Sequence, residues 1–427
     1  MSIEIRSLGA GATLGIINTD KFKNSYFAVN FLLPINDKNI AECNVLASVL
    51  LRGTQKYPNM SALSKHIGMI YDPNIEVSAT KTARAVVFKV GAYFLSNDYL
   101  PKNEKTDVFG ETASLMLDFL KAPFTENGAL SVSYTESEKK RQIDRIKARI
   151  NNKDSYALSR CSSLLLGDIP AACESLGTEE AVNAVTPESL YGMLSFILEK
   201  CPIEAVFAGK FTSDAEKTAL DFIFSLTKGR REEDLIPVPE LIKPSFYGEV
   251  RSVTEDVSAT QGRMVMGFSM PRTEENAAVT VFNEVFGGSP VSRLFTNVRE
   301  RLQLCYYCAS AQNFALDIMY VRSGINKENV ELAREEILRQ LDDLRASENI
   351  SDEELYSAKL GMISEYKATR DSVMRYASWY INRRISGKDT DIDRCIENVE
   401  NVDAAAVSEV ARGVTLQLNY FLNGIEG

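Results

Sequence analysis

A chain of 427 residues exceeds one ordinary hydrophobic core and fits two to four folding units at roughly 150 residues each. Hydrophobic residues at 45%, charged residues at 25% and 13 prolines exclude long disorder. A net charge of −10 leaves no basic stripe for phosphates, which argues against nucleic acid and anionic membrane as partners.

The opening MSIEIRSLGAGATLG has no cationic segment followed by a long apolar run. No later window stays uncharged and apolar for the roughly 18 residues of a membrane helix, so the expectation is a soluble, cytoplasmic protein. The glycines of GAGATLG are spaced G-x-G-x-x-x-G with no helix and acidic partner behind them, which favours a hairpin turn over a dinucleotide loop. Residues 25–33 read as a buried strand ending at Pro34, and 39–52 as a helix with Val45, Val49 and Leu50 inward, stopped at Gly53. A short helix from Ser61 carries His66, the single histidine, in its last turn. One histidine excludes any mechanism that needs a pair of them. Strands near 74–79 and 85–91 follow, then helices near 106–121, 134–166 and 187–199 and a strand at 203–209.

Residues 228–246, KGRREEDLIPVPELIKPSF, hold charges, three prolines and no periodicity, the composition of a linker. After it the order restarts. A strand at 262–270 ends at Pro271, a helix runs from Thr273 to Gly287, and strands fall near 304–311 and 316–322. A helix near 327–346, a Ser351/Glu354 capping box, further helices to about 412 and a strand at 416–422 complete the chain. VFAGKF from Val206 matches YFLNG from Tyr420. The pattern implies an internal duplication and an α+β chain divided into 1–227, the 228–246 linker and 247–427.

Two other motifs carry less. Cys305 and Cys308 form a C-x-x-C, but no second pair or nearby histidine completes a zinc site, and the seven scattered cysteines suit a reducing compartment. DTDIDRCIENVE, residues 389–400, has the carboxylates of a calcium loop, yet Arg394 replaces its turn glycine and Ile392, Ile396 and Val399 fit a helix face.

The most informative stretch is GGSPVSRLFTNVRERLQLCYY, residues 287–307. Gly287 and Gly288 turn the chain, Ser292 is placed to cap a helix, and Leu294, Phe295, Val298 and Leu302 repeat at helical spacing, leaving Arg293, Arg299 and Glu300 polar. An uncharged, strand-like run then begins at Leu304, bringing Arg299 and Tyr306 near each other where helix gives way to strand. Two readings fit. A guanidinium and a phenol so placed are suited to holding the carbonyls of an extended peptide; equally, a capped helix packs its apolar face with Arg299 solvated and Tyr306 half buried.

The repeat, the linker and this stretch together resemble the pitrilysin family of zinc peptidases, which includes insulinase and the mitochondrial processing peptidase. The family pattern S-R-L-F-x-x-[IV]-R-E-x-x-x-L-x-Y stands here as Ser292, Arg293, Leu294, Phe295, Val298, Arg299, Glu300, Leu304 and Tyr306. The resemblance implies two homologous halves, each a duplicated antiparallel sheet flanked by helices, joined as a clamshell. It also implies that Arg299 and Tyr306 help hold a substrate peptide, with Gly287, Gly288, Ser292 and Arg293 as the supporting loop. The family's zinc helix, H-x-x-E-H followed by G-T, aligns through LLRGT at 50–54 and puts Asn44, Ala47 and Ser48 at the ligand and base positions. All three are lost, and the third ligand falls around Lys147 and Ala148, with Glu138 and Asp144 nearby read as solvated helix charges. Asn and Ser are weak ligands and alanine has no proton to move.

The resemblance therefore implies a catalytically silent subunit that binds no cofactor. It would complete the peptide chamber of an active zinc-bearing homologue, with a homodimer possible in isolation. The alternatives are a scaffold that kept the fold without touching peptide, and a peptidase with an unorthodox site.

Overall fold

The computed structural model describes residues 3–246, 248–272 and 277–425; the helix start expected at Thr273 lies outside them. Thirteen strands are formed among the described residues: β1 (Glu4–Gly9), β2 (Ala12–Asn18), β3 (Asn24–Leu33), β4 (Asn74–Lys81), β5 (Val86–Leu95), the short β6 (Thr125–Glu126) and β7 (Ala129–Leu130), β8 (Ile203–Gly209), β9 (Arg251–Ser258), β10 (Gly262–Ser269), β11 (Cys305–Asn313), β12 (Ile318–Ile325) and β13 (Thr415–Ile425). They make a six-stranded sheet ordered β1-β2-β8-β3-β5-β4, a five-stranded sheet ordered β11-β12-β10-β13-β9, and the β6-β7 pair.

The two large sheets repeat one design. The run β2-β8-β3-β5-β4 has the same order as β9-β13-β10-β12-β11, and each contains a single parallel pair, β2 with β8 and β9 with β13, among antiparallel neighbours. The sheets are therefore antiparallel apart from that one pairing. The expected match of Val206 with Tyr420 falls on β8 and β13, which hold the same place in the two strand orders. At the N-terminus, β1 and β2 form the hairpin, turned by Gly9, Ala10 and Gly11, all at positive φ.

Two compact units emerge, and they do not follow the linear boundary at 228–246. The first is built from the chain up to Lys147, Cys173–Leu241 and Thr369–Thr390; the second from Ala148–Ala172, Ile242–Ala368 and the chain from Asp391 onward. The cause is local. The single long helix expected over 134–166 is two helices, Val132–Ala148 and Lys153–Leu166, because the Asn152 side chain caps the second by accepting from the Ser155 N–H at 3.0 Å.

Strand β3 shows why each unit needs such a piece. Phe27, Val29 and Phe31 enter one core with the helix Asp37–Leu50, while Tyr26, Ala28 and Asn30 face the helix Val373–Ile385 across a cavity of about 200 Å³. Both faces are buried, so the strand reads as continuously apolar rather than alternating. That helix closes on the sheet at Gly15, where an added Cβ would fall 2.2 Å from the Tyr380 ring, and Arg384 pairs with Glu204 at 3.0 Å. In the second unit the helix Lys153–Leu166 does the same for β10 and β13, with Leu165 against Gly267 and Arg160 pairing with Glu255 at 2.6 Å. Met264, Met266 and Phe268 fill the core on the other face of β10.

The 389–400 segment is the helix Ile392–Glu400, capped by the Asp391 carboxylate, which accepts from the Asp393 and Arg394 N–H groups. His66 lies in the last turn of the helix Met60–Met69 and stacks on Tyr57 with ring centroids 4.4 Å apart. Among the described residues no helix is long and apolar enough to cross a membrane.

Candidate functional site

The 287–307 stretch folds as two widened helical turns and a reversal into β11. Glu284–Gly288 and Leu294–Arg301 are wound as π-helix, and the Leu302 N–H reaches back five residues to the Asn297 carbonyl at 3.1 Å. The turn closes when the Leu304 N–H bonds the Val298 carbonyl at 3.1 Å with Gln303 in the left-handed region, φ 52°. Leu294 and Val298 are buried as their spacing implied, but Leu302 is 43% exposed, because the wider winding rotates it off the inner face.

Ser292 departs from its expected role. Its hydroxyl donates to the Ser289 carbonyl at 2.6 Å, tying the turn before the helix instead of accepting from a helical N–H. Arg293 is also not a polar outer residue. It is buried and forks onto Glu354 at 2.7 and 3.2 Å while donating to the Asn349 carbonyl. Burial alone would raise the Glu354 carboxyl, but hydrogen bonds from Arg293 and Ser351 outweigh it and hold the group below the ordinary carboxylate value. The Ser351 capping box forms as read, and its glutamate thus serves two partners. Gly287 leaves room for the protein's own strand: a Cβ there would fall 2.7 Å from Ser310 Oγ and 2.8 Å from Ser310 N. Gly288 faces Asn283 and Glu284 in the same way.

Arg299 and Tyr306 are brought together. The Arg299 Nε–H donates to the Tyr306 carbonyl at 3.1 Å, and the guanidinium lies over the Phe295 ring 4.5 Å from its centroid. Tyr306 is 68% exposed, not half buried. The reason is a β-bulge: the register pairs Cys305 with Ile325 and Tyr307 with Gly324, leaving Tyr306 as the extra residue that turns outward. Strand β11 is also a sheet edge, so among the described residues one side of its backbone has no strand neighbour. The Phe295–Arg299 spacing of four was legible in the sequence; the bulge and the Glu354 partner of Arg293 were not assigned from it.

The positions that the resemblance aligns with the zinc motif lie on the helix Asp37–Leu50. Asn44 Nδ2 donates to the Ile40 carbonyl at 2.9 Å and the Ser175 carbonyl at 3.2 Å; Ser48 Oγ donates to the Asn44 carbonyl at 3.3 Å; Ala47 is buried. Glu138 is not a solvated charge. Its side chain is 7% exposed and pairs with Arg52, whose Nε lies 2.6 Å away. Asp144 is exposed as expected. Lys147 pairs with Glu179 at 3.3 Å and Ala148 is exposed, so neither position offers a ligand atom. Among the described residues no group of three or more His, Cys, Asp or Glu is placed to hold a metal ion.

Residues 202–362 match the family model described as Peptidase M16 inactive domain. A protein of Bacillus subtilis (strain 168) named probable inactive metalloprotease YmfF is 25% identical over 99% of this chain and 98% of that protein. The chain resembles the M16 peptidases. An uncharacterized zinc protease of Rickettsia felis is 20% identical to this chain over 93% of it and 94% of that protein. A conserved protein from Enterococcus faecalis V583 shares its fold with a TM-score of 0.89 at 22% identity, covering 100% of this chain and 99% of that one. A peptidase M16 inactive domain from Pseudomonas fluorescens has a TM-score of 0.78 at 14% identity, covering 100% and 98%. Of these similar proteins one is named inactive and another a zinc protease; in this chain Asn44, Ala47 and Ser48 stand where the resemblance aligns the zinc motif.

Proposed function

We propose that this protein is a non-catalytic subunit that completes the peptide-binding chamber of a zinc-bearing relative retaining H-x-x-E-H. Its own chain binds no zinc and cleaves nothing; the metal and its water belong to the partner. Arg299 and Tyr306 hold the peptide. What supports the reading is the Tyr306 bulge on the edge strand β11: it turns a phenol outward beside a guanidinium already oriented by Phe295 and by the Tyr306 carbonyl. An edge strand and two outward donors suit an extended backbone, whose carbonyls accept from both and whose direction the strand sets. The reading places the protein in the cytoplasm, where seven cysteines outside any disulfide are at home.

The test is reconstitution. The purified chain is expected to show neither peptide cleavage nor stoichiometric zinc, and cleavage appears when an H-x-x-E-H relative from the same cell is added. Arg299→Ala and Tyr306→Ala each lower that activity about tenfold or more, equivalent to ~1.4 kcal/mol. Full activity of the assembled pair after both substitutions would establish the scaffold alternative, and cleavage by the isolated chain the unorthodox peptidase.

A further inference from the structure

Along a regular strand, residues three apart face opposite sides of the sheet. Cys305 and Cys308 escape that rule because Tyr306 is the extra residue of the bulge. Cys305 lies opposite Ile325 and Cys308 opposite Ser323, two positions apart on β12 and therefore on one face. Both thiols enter the same core, Cys305 at its rim and Cys308 deeper, while Tyr306 between them points out. The bulge thus turns a C-x-x-C that a flat strand would split into a facing pair.

Their surroundings differ in a useful way. The neighbouring Cys308 thiol, opposed by burial and aided by the Arg299 charge, holds the Cys305 thiol below its ordinary value; the same neighbour and burial push Cys308 up. Cys305 is the readier nucleophile and the more accessible of the two.

We propose that Cys305 and Cys308 are a reversible redox dithiol, oxidised by a peroxide to an intramolecular disulfide that clamps the Tyr306 bulge. The Cys305 thiolate attacks one peroxide oxygen; an S–O bond forms, the O–O bond breaks, and the departing hydroxide takes a proton to leave as water. Cys308, giving up its proton, then attacks the Cys305 sulfur; the S–S bond forms, the S–O bond breaks and a second water departs. The two thiols lose two electrons and the peroxide gains them. The β12 residues they oppose, Ile325 and Ser323, are two apart, a rise of about 6.8 Å at most, which is the upper end of the ~4.4–6.8 Å that a disulfide spans between Cα atoms. Closure therefore tightens the bulge. This inference does not depend on Tyr306 touching peptide.

The experiment uses the full chain, treated with one equivalent of hydrogen peroxide, then denatured and alkylated with N-ethylmaleimide. Trypsin releases residues 302–322 as one peptide holding both cysteines. The expected product is that peptide unalkylated and lighter by two hydrogens, returning to two alkylation sites after dithiothreitol, while the other five cysteines are alkylated throughout. In Cys308→Ser the oxidation stops at a Cys305 sulfenic acid that dimedone captures; in Cys305→Ser, Cys308 remains a thiol. Alkylation of both cysteines in the oxidised wild-type chain, or a link from either to another cysteine, would overturn the proposal.

Discussion

Arg293 and Arg299 stand six residues apart in one motif and do opposite work. Arg293 is buried against Glu354, so Arg293→Ala strands a partly buried carboxylate and is expected to cost about 2 kcal/mol or more. Tyr306→Ala removes an exposed ring and is expected to change stability by less than ~0.5 kcal/mol. Urea unfolding of the two variants distinguishes the structural from the surface residue. The Arg293–Glu354 pair also carries a pH signature. Because the folded state holds the Glu354 carboxyl below its unfolded value, the pair's stabilisation is complete above the ordinary carboxylate range and is lost as pH falls through the folded value. Acid unfolding of the wild type is therefore expected to be steeper below pH ~4.5 than that of Glu354→Gln, whose amide does not titrate. At this scale the sequence carried residue types and spacing: it paired Arg299 with Tyr306 and left Arg293 on the wrong side. Which of two arginines on a short helix is buried depends on a glutamate 61 residues away, and no local pattern encodes that.

The elements were legible where their periodicity was interrupted by a strong chemical signal, and misread where it was not. Pro34 ended β3 and the Ser351 box opened its helix as read. The break at Asn152 was missed because apolar spacing continues on both sides of it, although NNKDS contains a good cap. Asn152→Ala should therefore loosen the start of the helix Lys153–Leu166 and cost about 1 kcal/mol, measurable as a lowered midpoint in denaturant. Gly287 is a packing glycine in the structure: Gly287→Ala pushes a methyl into the Ser310 backbone and is expected to cost ~1–3 kcal/mol. The widened winding of Leu294–Arg301 and the bulge in β11 left no signature in hydrophobic spacing, since each shifts a residue's direction without changing its type.

The repeat was legible at the scale of the whole chain because two copies of one strand order leave two copies of one apolar rhythm. The exchange of helices was not. An amphipathic helix such as Lys153–Leu166 records that one side is covered, without recording which sheet covers it. A fragment of residues 1–241 contains every strand of the first sheet but lacks the helix Val373–Ile385, leaving the Tyr26, Ala28 and Asn30 face bare. It is expected to keep far-ultraviolet circular dichroism while losing the near-ultraviolet signal and binding a hydrophobic dye, and the full chain is expected to do neither.

That late-arriving helix sets a schedule for synthesis. The strands of the first sheet have all been translated by Gly209, yet the segment that covers one of their faces ends at Thr390. At ~5–20 residues per second, the nascent chain carries that sticky surface for roughly 10 s or more before its cover is translated. A newborn molecule of this kind is a natural client for holding chaperones, and slow codons placed between the two segments would lengthen its exposure.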